Sequence, residues 1–493
     1  MFNQSQATII SILLIAIGVL AWGYNRARLF GNLGIISWLQ SVTLFAPWLI
    51  FFGLFAFNIY INIAGILVLL LASIVIYIIL GRSLRTLGQD TMRKEIIAES
   101  LKSQATENIA AQPELNTPTT IAIPETDLQA IKGIFGIDTF FATETISYQE
   151  GLIFQGNLRG EPEKSHNQLC AKLKEVAGEK YRLFLVENSE GKPTVILLPS
   201  SRDPQTTTLA QKNLALVLLV ATIATSLETV GLLLGFDLFN NLGRYKEVIP
   251  ISLGLWLILG AHELGHRFIA KRHQIRLSVP FLLPSWQIGS FGAITRFESL
   301  IPNRKILFDI SLAGPAAGGL ISLLMMITGL YLSHPGSLFQ IPSQFFQGSI
   351  LVGTLAKAIL GSDLTKEIID VHPLTLIGWL GLVITSLNLL PVGQLDGGRI
   401  VQAIYGRKIA RISSIITIVI LIIVAVINPT NPILLYWGIL ILFLQRELER
   451  PSLNEISEVD DARAAWGLLA LFLTLATLIP LSPSLAGSLG IGG

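Results

Sequence analysis

The chain has 493 residues, 51% of them hydrophobic and 14% charged, with a formal net charge of +2. Soluble domains carry roughly 25% charged residues, so this composition excludes an ordinary soluble protein and indicates an integral membrane one. The near-neutral charge argues against nucleic acid as a partner. The single cysteine, Cys170, rules out an intrachain disulfide and a cysteine-built zinc site.

Taken in chain order, the opening MFNQSQ lacks both the basic stretch of a signal peptide and the Arg/Ser-rich character of a transit peptide. The apolar run after it is therefore read as a retained membrane anchor. Runs near 7–23, 33–57, 60–80, 212–235, 249–270, 306–332, 374–397, 412–428, 431–445 and 464–482 each approach the ~20 residues a helix needs to cross ~30 Å of hydrocarbon. They predict an all-α polytopic membrane protein of about ten transmembrane helices, with the lipid bilayer as its surroundings. With ten spans, the basic residues near 26–28, 82–94, 271–276, 304–305, 399–411 and 446–450 share one side, and Arg244, Lys246, Lys357 and Lys366 share the other. The positive-inside rule makes the richer side cytoplasmic, or its equivalent, and puts both termini on the opposite side.

The layout read from these runs has five parts. Residues 1–80 form an N-terminal membrane anchor of about three helices, and 81–123 a polar linker. Residues 124–205 form a small soluble α+β domain on the cytoplasmic side. Residues 212–410 form a membrane core, and 411–493 the C-terminal membrane helices. Within the soluble domain, 151–156 reads as a strand and 164–176 as an amphipathic helix. Residues 181–187 and 194–199 read as a hairpin around Asn188-Ser189-Glu190-Gly191, which makes a βαββ-like unit. Residues 333–373 form the longest outer loop, with one surface helix near 343–361.

Residues 262–266, His-Glu-Leu-Gly-His, form an H-E-x-x-H motif inside the run at 249–270. Ionisable groups are costly in hydrocarbon and rarely occur there without a function. On a helix, positions i and i+4 share a face, so His262 and His266 can offer ring nitrogens to one Zn²⁺, with Glu263 beside them as a base. A catalytic zinc normally takes three protein ligands and keeps a position for water. Asp309 and Asp396 are the candidates for the third, and both fall at a similar depth. The local sequence favours Asp396: Pro391, Gly393, Gly397 and Gly398 break the helix around it, and broken backbone at membrane depth is tolerated only beside protein or a watery cavity. Asp309, on an unbroken helix, reads as a packing or hydrogen-bonding residue. The expected chemistry is peptide hydrolysis, in which Glu263 takes a proton from activated water and returns it to the leaving amine. Asn388 is a candidate donor to the developing oxyanion; interhelical hydrogen bonding is the other reading of it.

These residues resemble the site-2 protease family of intramembrane zinc metalloproteases, the M50 peptidases. H-E-x-x-H at 262–266 and N-x-x-P-x-x-x-L-D-G at 388–397 both occur in full and in the family's order. Ala313-Gly314-Pro315 and the segment 289–294 (GSFGAI) belong to the same resemblance, which covers roughly 212–410. It implies a site-2 protease core, His262, His266 and Asp396 as ligands of one catalytic Zn²⁺, and Glu263 as the catalytic acid/base. It also implies transmembrane protein substrates, staged cleavage and, in bacteria, anti-sigma factors as common substrates. Gly156-Asn157-Leu158-Arg159 is similar to the G-N-L-R motif of the cyanobacterial and chloroplast "ethylene-dependent gravitropism-deficient and yellow-green" type. That group generally lacks a PDZ domain, and 81–211 carries no PDZ pattern. With no transit peptide at the start, a cyanobacterial plasma or thylakoid membrane, or else a chloroplast thylakoid-like one, is the expected location, with the active site near the cytoplasmic or stromal face.

Other features have less chemistry. The segment 278–298, with Pro280, Pro284, Gly289 and Gly292, reads as a re-entrant loop or hairpin that either receives a substrate strand or serves as a lid. Residues 314–319 (GPAAGG) read as small-residue helix packing. GNLR reads as structural or gating, with Arg159 expected to pair with an acid. His166, His273, His334 and His372 read as surface residues. A metal-ion transporter and a non-catalytic zinc-binding scaffold are the alternative functions. The nearly pure apolar outer halves of 249–270 and 374–397 argue against a transport path.

Overall fold

The computed structural model describes residues 18, 20–56, scattered positions between 69 and 83, 125–148, 151–188, 190–285, 287–427, 437–442 and 447–491. The chain divides into two units, 1–117 and 118–493. In the first, the run expected at 33–57 forms α1, Gly31–Ala56, which is apolar throughout apart from a few uncharged polar residues and contains Pro47. The expected spans at 7–23, 60–80 and 431–445, and the linker at 81–123, lie wholly or largely outside the described residues.

The second unit begins with α2 (Glu125–Lys132), β1 (Phe140–Tyr148), β2 (Gly151–Leu158), α3 (Pro162–Ala177), β3 (Tyr181–Glu187) and β4 (Pro193–Pro199). The strands form one antiparallel sheet in the order β1-β2-β4-β3. The sheet corrects the βαββ-like reading by one strand: β1 carries polar residues at most of its exposed positions and has a bulge between Ala142 and Glu144, so it lacks a clean apolar alternation. On the α3 face of the sheet, Phe154, Leu169, Leu173, Leu185 and Leu197 make a dry core. His166 is corrected as well. It is 7% exposed, because α3 turns Ser165, His166, Leu169, Leu173 and Ala177 inward at helical spacing. His334 is exposed as expected, whereas His273 and His372 are half-buried. Arg159 is exposed and makes no ion pair among the described residues.

The far edge of β3 is covered by residues 451–456. Leu185 N–H donates to Leu453 O (2.8 Å), and Glu455 N–H donates to Leu185 O (2.9 Å). On its other side this strap is held by Leu453 N–H to Ile301 O (2.8 Å) and Asn454 N–H to Pro302 O (2.9 Å). An otherwise unpaired sheet edge is thereby satisfied, and the strand-containing region is bonded to the helical part of its unit.

The helical part comprises α4 (Leu209–Leu233), α5 (Tyr245–Arg272), the hairpin β5 (Phe281–Ser285) and β6 (Gly289–Ile294), α6 (Arg304–Leu332), β7 (Phe339–Pro342), α7 (Ile350–Leu360), β8 (Ile368–Val371), α8 (Pro373–Asn388), α9 (Asp396–Ile427), α10 (Asp461–Leu478) and α11 (Pro483–Leu489). The described residues contain five helices long and apolar enough to cross a membrane: 211–233, 242–272, 304–332, 396–427 and 461–478. Their outward faces carry large apolar side chains such as Val217 and Val220 on α4 and Ile415, Ile420 and Ile423 on α9, as a lipid-facing surface does. The protein is thus mostly helical and membrane-associated, with a small strand-containing region.

The run 374–397 is not one helix. It gives α8, only 16 residues and ~24 Å long at 1.5 Å per residue, then a non-helical turn, and α9 begins at Asp396. Pro391 disfavours helix in the residue before it, so the helix stops short. Asp396 therefore opens α9 rather than closing the preceding span. α9 is itself kinked at Gly406, whose φ of 79° and ψ of 175° suit glycine alone. Arg304 caps the carbonyls near that break, with Nε donating to Ala403 O (2.7 Å) and Nη2 to Ile404 O (2.6 Å).

At the far end of α6, residues 333–373 fold into a cap. β7 pairs with β8, and α7 buries Val352 and Ala356 against Phe339, Phe346 and Leu481. The helix expected near 343–361 is present as a 3-10 turn plus α7, and it is half-buried rather than superficial.

Candidate metal centre

The centre lies where α5, α6 and the start of α9 meet. α5 approaches α6 closely because glycines face it. A β-carbon at Gly314 would overlap the His266 imidazole, and one at Gly318 would press on His262. The small-residue stretch 314–319 is thus the floor beneath the two histidines. Gly397 and Gly398 play the same part for α9: a β-carbon at either would collide with the backbone of the preceding turn, around Leu389 and Val392.

This packing brings His262, His266 and Asp396 together, each under 9% exposed. His262 Nε2 and His266 Nε2 are 3.2 Å apart, and each is 3.3 Å from Asp396 Oδ2. Ligand atoms about 2.0–2.1 Å from a tetrahedral zinc are separated by about 3.3–3.4 Å. The three atoms therefore have the spacing of one face of a zinc tetrahedron, and two imidazoles with one carboxylate are a donor set that zinc accepts. The tautomer of His266 also fits. Its Nδ1 lies 2.7 Å from Ile310 O, a carbonyl that can only accept, so Nδ1 carries the proton and the Nε2 lone pair faces inward.

Glu263, next to His262 on α5, has a hydrogen bond at one oxygen and an ion pair at the other. Thr295 Oγ1 donates to Oε2 at 2.9 Å, and Arg267 Nε lies 2.7 Å from Oε1. Arg267 in turn donates through Nη2 to Ser278 O (2.8 Å). A cavity of about 20 Å³, room for roughly one water, is lined in part by His266, Thr295, Asn388 and Asp396. A larger one of about 330 Å³ shares Gln394 with it and is bordered by Arg296, Glu298 and Glu449.

Asn388 is 4% exposed, and its amide donates to Phe291 O (3.0 Å) and to Ile384 O (2.9 Å). Both N–H groups are thus spent on backbone, one of them tying β6 to α8. The segment 278–298 contains the expected hairpin, β5–β6, with a bulge between Leu282 and Pro284. Asp309 sits apart from the triad in a two-point ion pair with Arg463 of α10, at 2.7 and 2.8 Å, in keeping with a packing role. Thr295, Arg267 and Arg399 belong to the site but lie outside both motifs. Arg267 lies four residues after Glu263 and Arg399 three after Asp396, spacings that signal helical neighbours. Thr295 had no such signal, because only the hairpin brings it to α5.

A helical membrane fold whose H-E-x-x-H helix faces an aspartate at zinc spacing defines a class, the membrane-embedded metallopeptidases. Two family profiles match the chain: "Peptidase family M50" over residues 250–427 and "EGY3 middle domain" over 129–206. The "Probable zinc metalloprotease EGY1, chloroplastic" of Arabidopsis thaliana is 37% identical over 405 residues, covering 74% of this chain and 73% of the relative. The "Probable zinc metalloprotease EGY2, chloroplastic" of Oryza sativa subsp. indica is 38% identical over 369 residues, 73% and 67%. The "Probable zinc metallopeptidase EGY3, chloroplastic" of Arabidopsis thaliana is 33% identical over 424 residues, 81% and 73%. No solved structure matches the chain. The chain belongs to the EGY group of zinc metalloproteases within peptidase family M50.

Proposed function

We propose that this metalloprotease hydrolyses peptide bonds in or beside the membrane-spanning segments of other proteins, with His262, His266 and Asp396 as the ligands of its zinc and Glu263 as its acid/base. The observation that carries this reading is the 3.2–3.3 Å triangle of ligand atoms, with a carboxylate one residue from the first histidine. When bound, zinc supplies a Lewis acid that acidifies water and polarises a carbonyl. Glu263 takes the proton from water and returns it to the departing amine. Thr295 and Arg267 hold its carboxylate in place, and rotation of the Thr295 hydroxyl frees Oε2 to accept the proton. The 330 Å³ cavity provides water and room for an unwound peptide next to the small one. Asn388 acts by holding β6 against α8, so that the hairpin keeps its position beside the triad.

The finer topology is part of the same proposal: about ten crossings, the five-part layout read from the sequence, and a catalytic centre near the cytoplasmic or stromal face. Basic clusters at 271–276 and 399–411 support that side. A photosynthetic membrane, plasma or thylakoid, is supported by the chloroplastic relatives. Membership of a peptidase family leaves the transport alternative without support. The purified protein with Glu263→Gln is expected to keep its zinc and to lose at least ~10²-fold in cleavage of a transmembrane substrate. Undiminished cleavage would remove Glu263 from this role.

A further inference from the structure

Arg399, in the first turn of α9, is 6% exposed and takes no part in the proton transfers above. A buried guanidinium is costly unless its donors are matched, and four separate groups meet this one. Nε donates to Glu449 Oε2 at 3.0 Å, and Nη2 lies 2.8 Å from the same oxygen. Nη2 also donates to Thr295 O at 3.0 Å. The Phe297 ring lies under the guanidinium, 4.7 Å from its centroid. The fourth group is Asp396, whose Oδ1 is 3.9 Å from Nη1. Both histidine nitrogens face the other oxygen, Oδ2. A carboxylate offers two oxygens to a metal, and a fixed cation beside one of them favours ligation through the other alone. Thr295 is shared: its carbonyl binds Arg399 while its hydroxyl binds Glu263. Glu449 comes from the segment that leads into the strap on β3.

We propose that Arg399 is a positioning residue for the zinc: it holds Asp396 Oδ1 so that Oδ2 completes the triad, and Glu449 and Thr295 fix the plane of its guanidinium. This rests on the reading of Asp396 as a ligand. The test is zinc affinity of the full-length protein, measured by competition with a chromophoric chelator, alongside thermal unfolding of the metal-free form. Arg399→Gln is expected to weaken zinc binding about 10–100-fold, as loss of an outer partner of a ligand does. Arg399→Lys, which keeps the charge but loses the fork, should recover part of that loss. Glu449→Gln, which leaves the arginine charge in place but loosens it, should weaken zinc in the same direction and by less. A purely structural role would lower the unfolding temperature of the metal-free protein and leave zinc affinity unchanged. Wild-type zinc affinity in both Arg399→Gln and Glu449→Gln overturns the proposal. If Arg399→Gln does not fold, wild-type affinity in Glu449→Gln alone overturns it. Asp396→Asn, run in parallel, separates the two readings. Zinc retained at wild-type affinity there sinks the ligand assignment itself, whereas zinc lost there but kept in the Arg399 and Glu449 variants sinks only the positioning role.

Discussion

His262 and His266 are four residues apart on a helix, and that spacing alone puts their rings on one face. What makes them a centre is the absence of side chains opposite. Gly314→Ala would put a methyl group where the His266 ring lies. This substitution is expected to cut zinc retention at least ~10-fold, measured by chelator competition, while Ala316→Gly on the same helix leaves it near wild type. In the strand-containing domain, His166 lies 3.5 Å (Nε2) from the sulfur of Cys170. Burial pushes the Cys170 thiol up to about 11 and holds the His166 imidazole below its usual range. The folded domain therefore favours neutral His166. Above about pH 6.5, the ordinary value of an exposed imidazole, the ring is neutral in both states and this stability is complete. As pH falls from there toward the folded value, the unfolded chain takes the proton first and stability declines. Amide exchange at Phe154 and Leu197 in the core of the sheet, which reads opening of the domain, should accelerate between pH 7.5 and 5.5 after correction for the intrinsic pH dependence of exchange. His166→Gln should flatten that acceleration.

Among the elements, α8 and α9 differ most from expectation. Hydropathy sees an uninterrupted apolar run from 374 onward, but Pro391 and the glycines end one helix and start another. That turn carries Asp396 to the histidines, and Asp396 stands at the positive end of the α9 dipole. The break at Gly406 depends on glycine in the same way. Gly406→Ala forces a side chain into a backbone region that costs about 1–3 kcal/mol, and the thermal midpoint of the solubilised protein should fall accordingly. The hairpin at 278–298 was legible as a broken, β-forming segment. Its attachment through Asn388 and Thr295 was not, because those bonds join residues 97 and 32 positions apart.

The strand-containing region and the helical core are joined through the strap at 451–456. Asn454, 3% exposed, organises it: Oδ1 accepts from Ile456 N–H (3.2 Å) and Ser457 N–H (3.1 Å). Asn454→Ala leaves those two amides without a partner, at about 1–3 kcal/mol each where buried. Amide exchange should then speed up together in 451–457 and at Leu185 on the β3 edge. Unchanged protection at Leu185 would show that the strap and the sheet open independently.

Composition, hydropathy and two motifs determined by themselves that this is a membrane metallopeptidase, because zinc chemistry needs particular side chains at helical spacing and lipid needs long apolar runs. His262, Glu263 and His266 could be chosen from local spacing, and Asp396 from the breakers around it. Asp309 could be set aside on local sequence alone. Only the tertiary structure decided the rest: that Asp396 opens a helix, that Asn388 spends its amide on backbone, that β1 completes the sheet, and that Arg399, Thr295 and Glu449 surround the centre. Those relations depend on which glycine lets which helix approach, and on bonds between segments that lie far apart in the chain. A pattern along one strand of sequence does not record either.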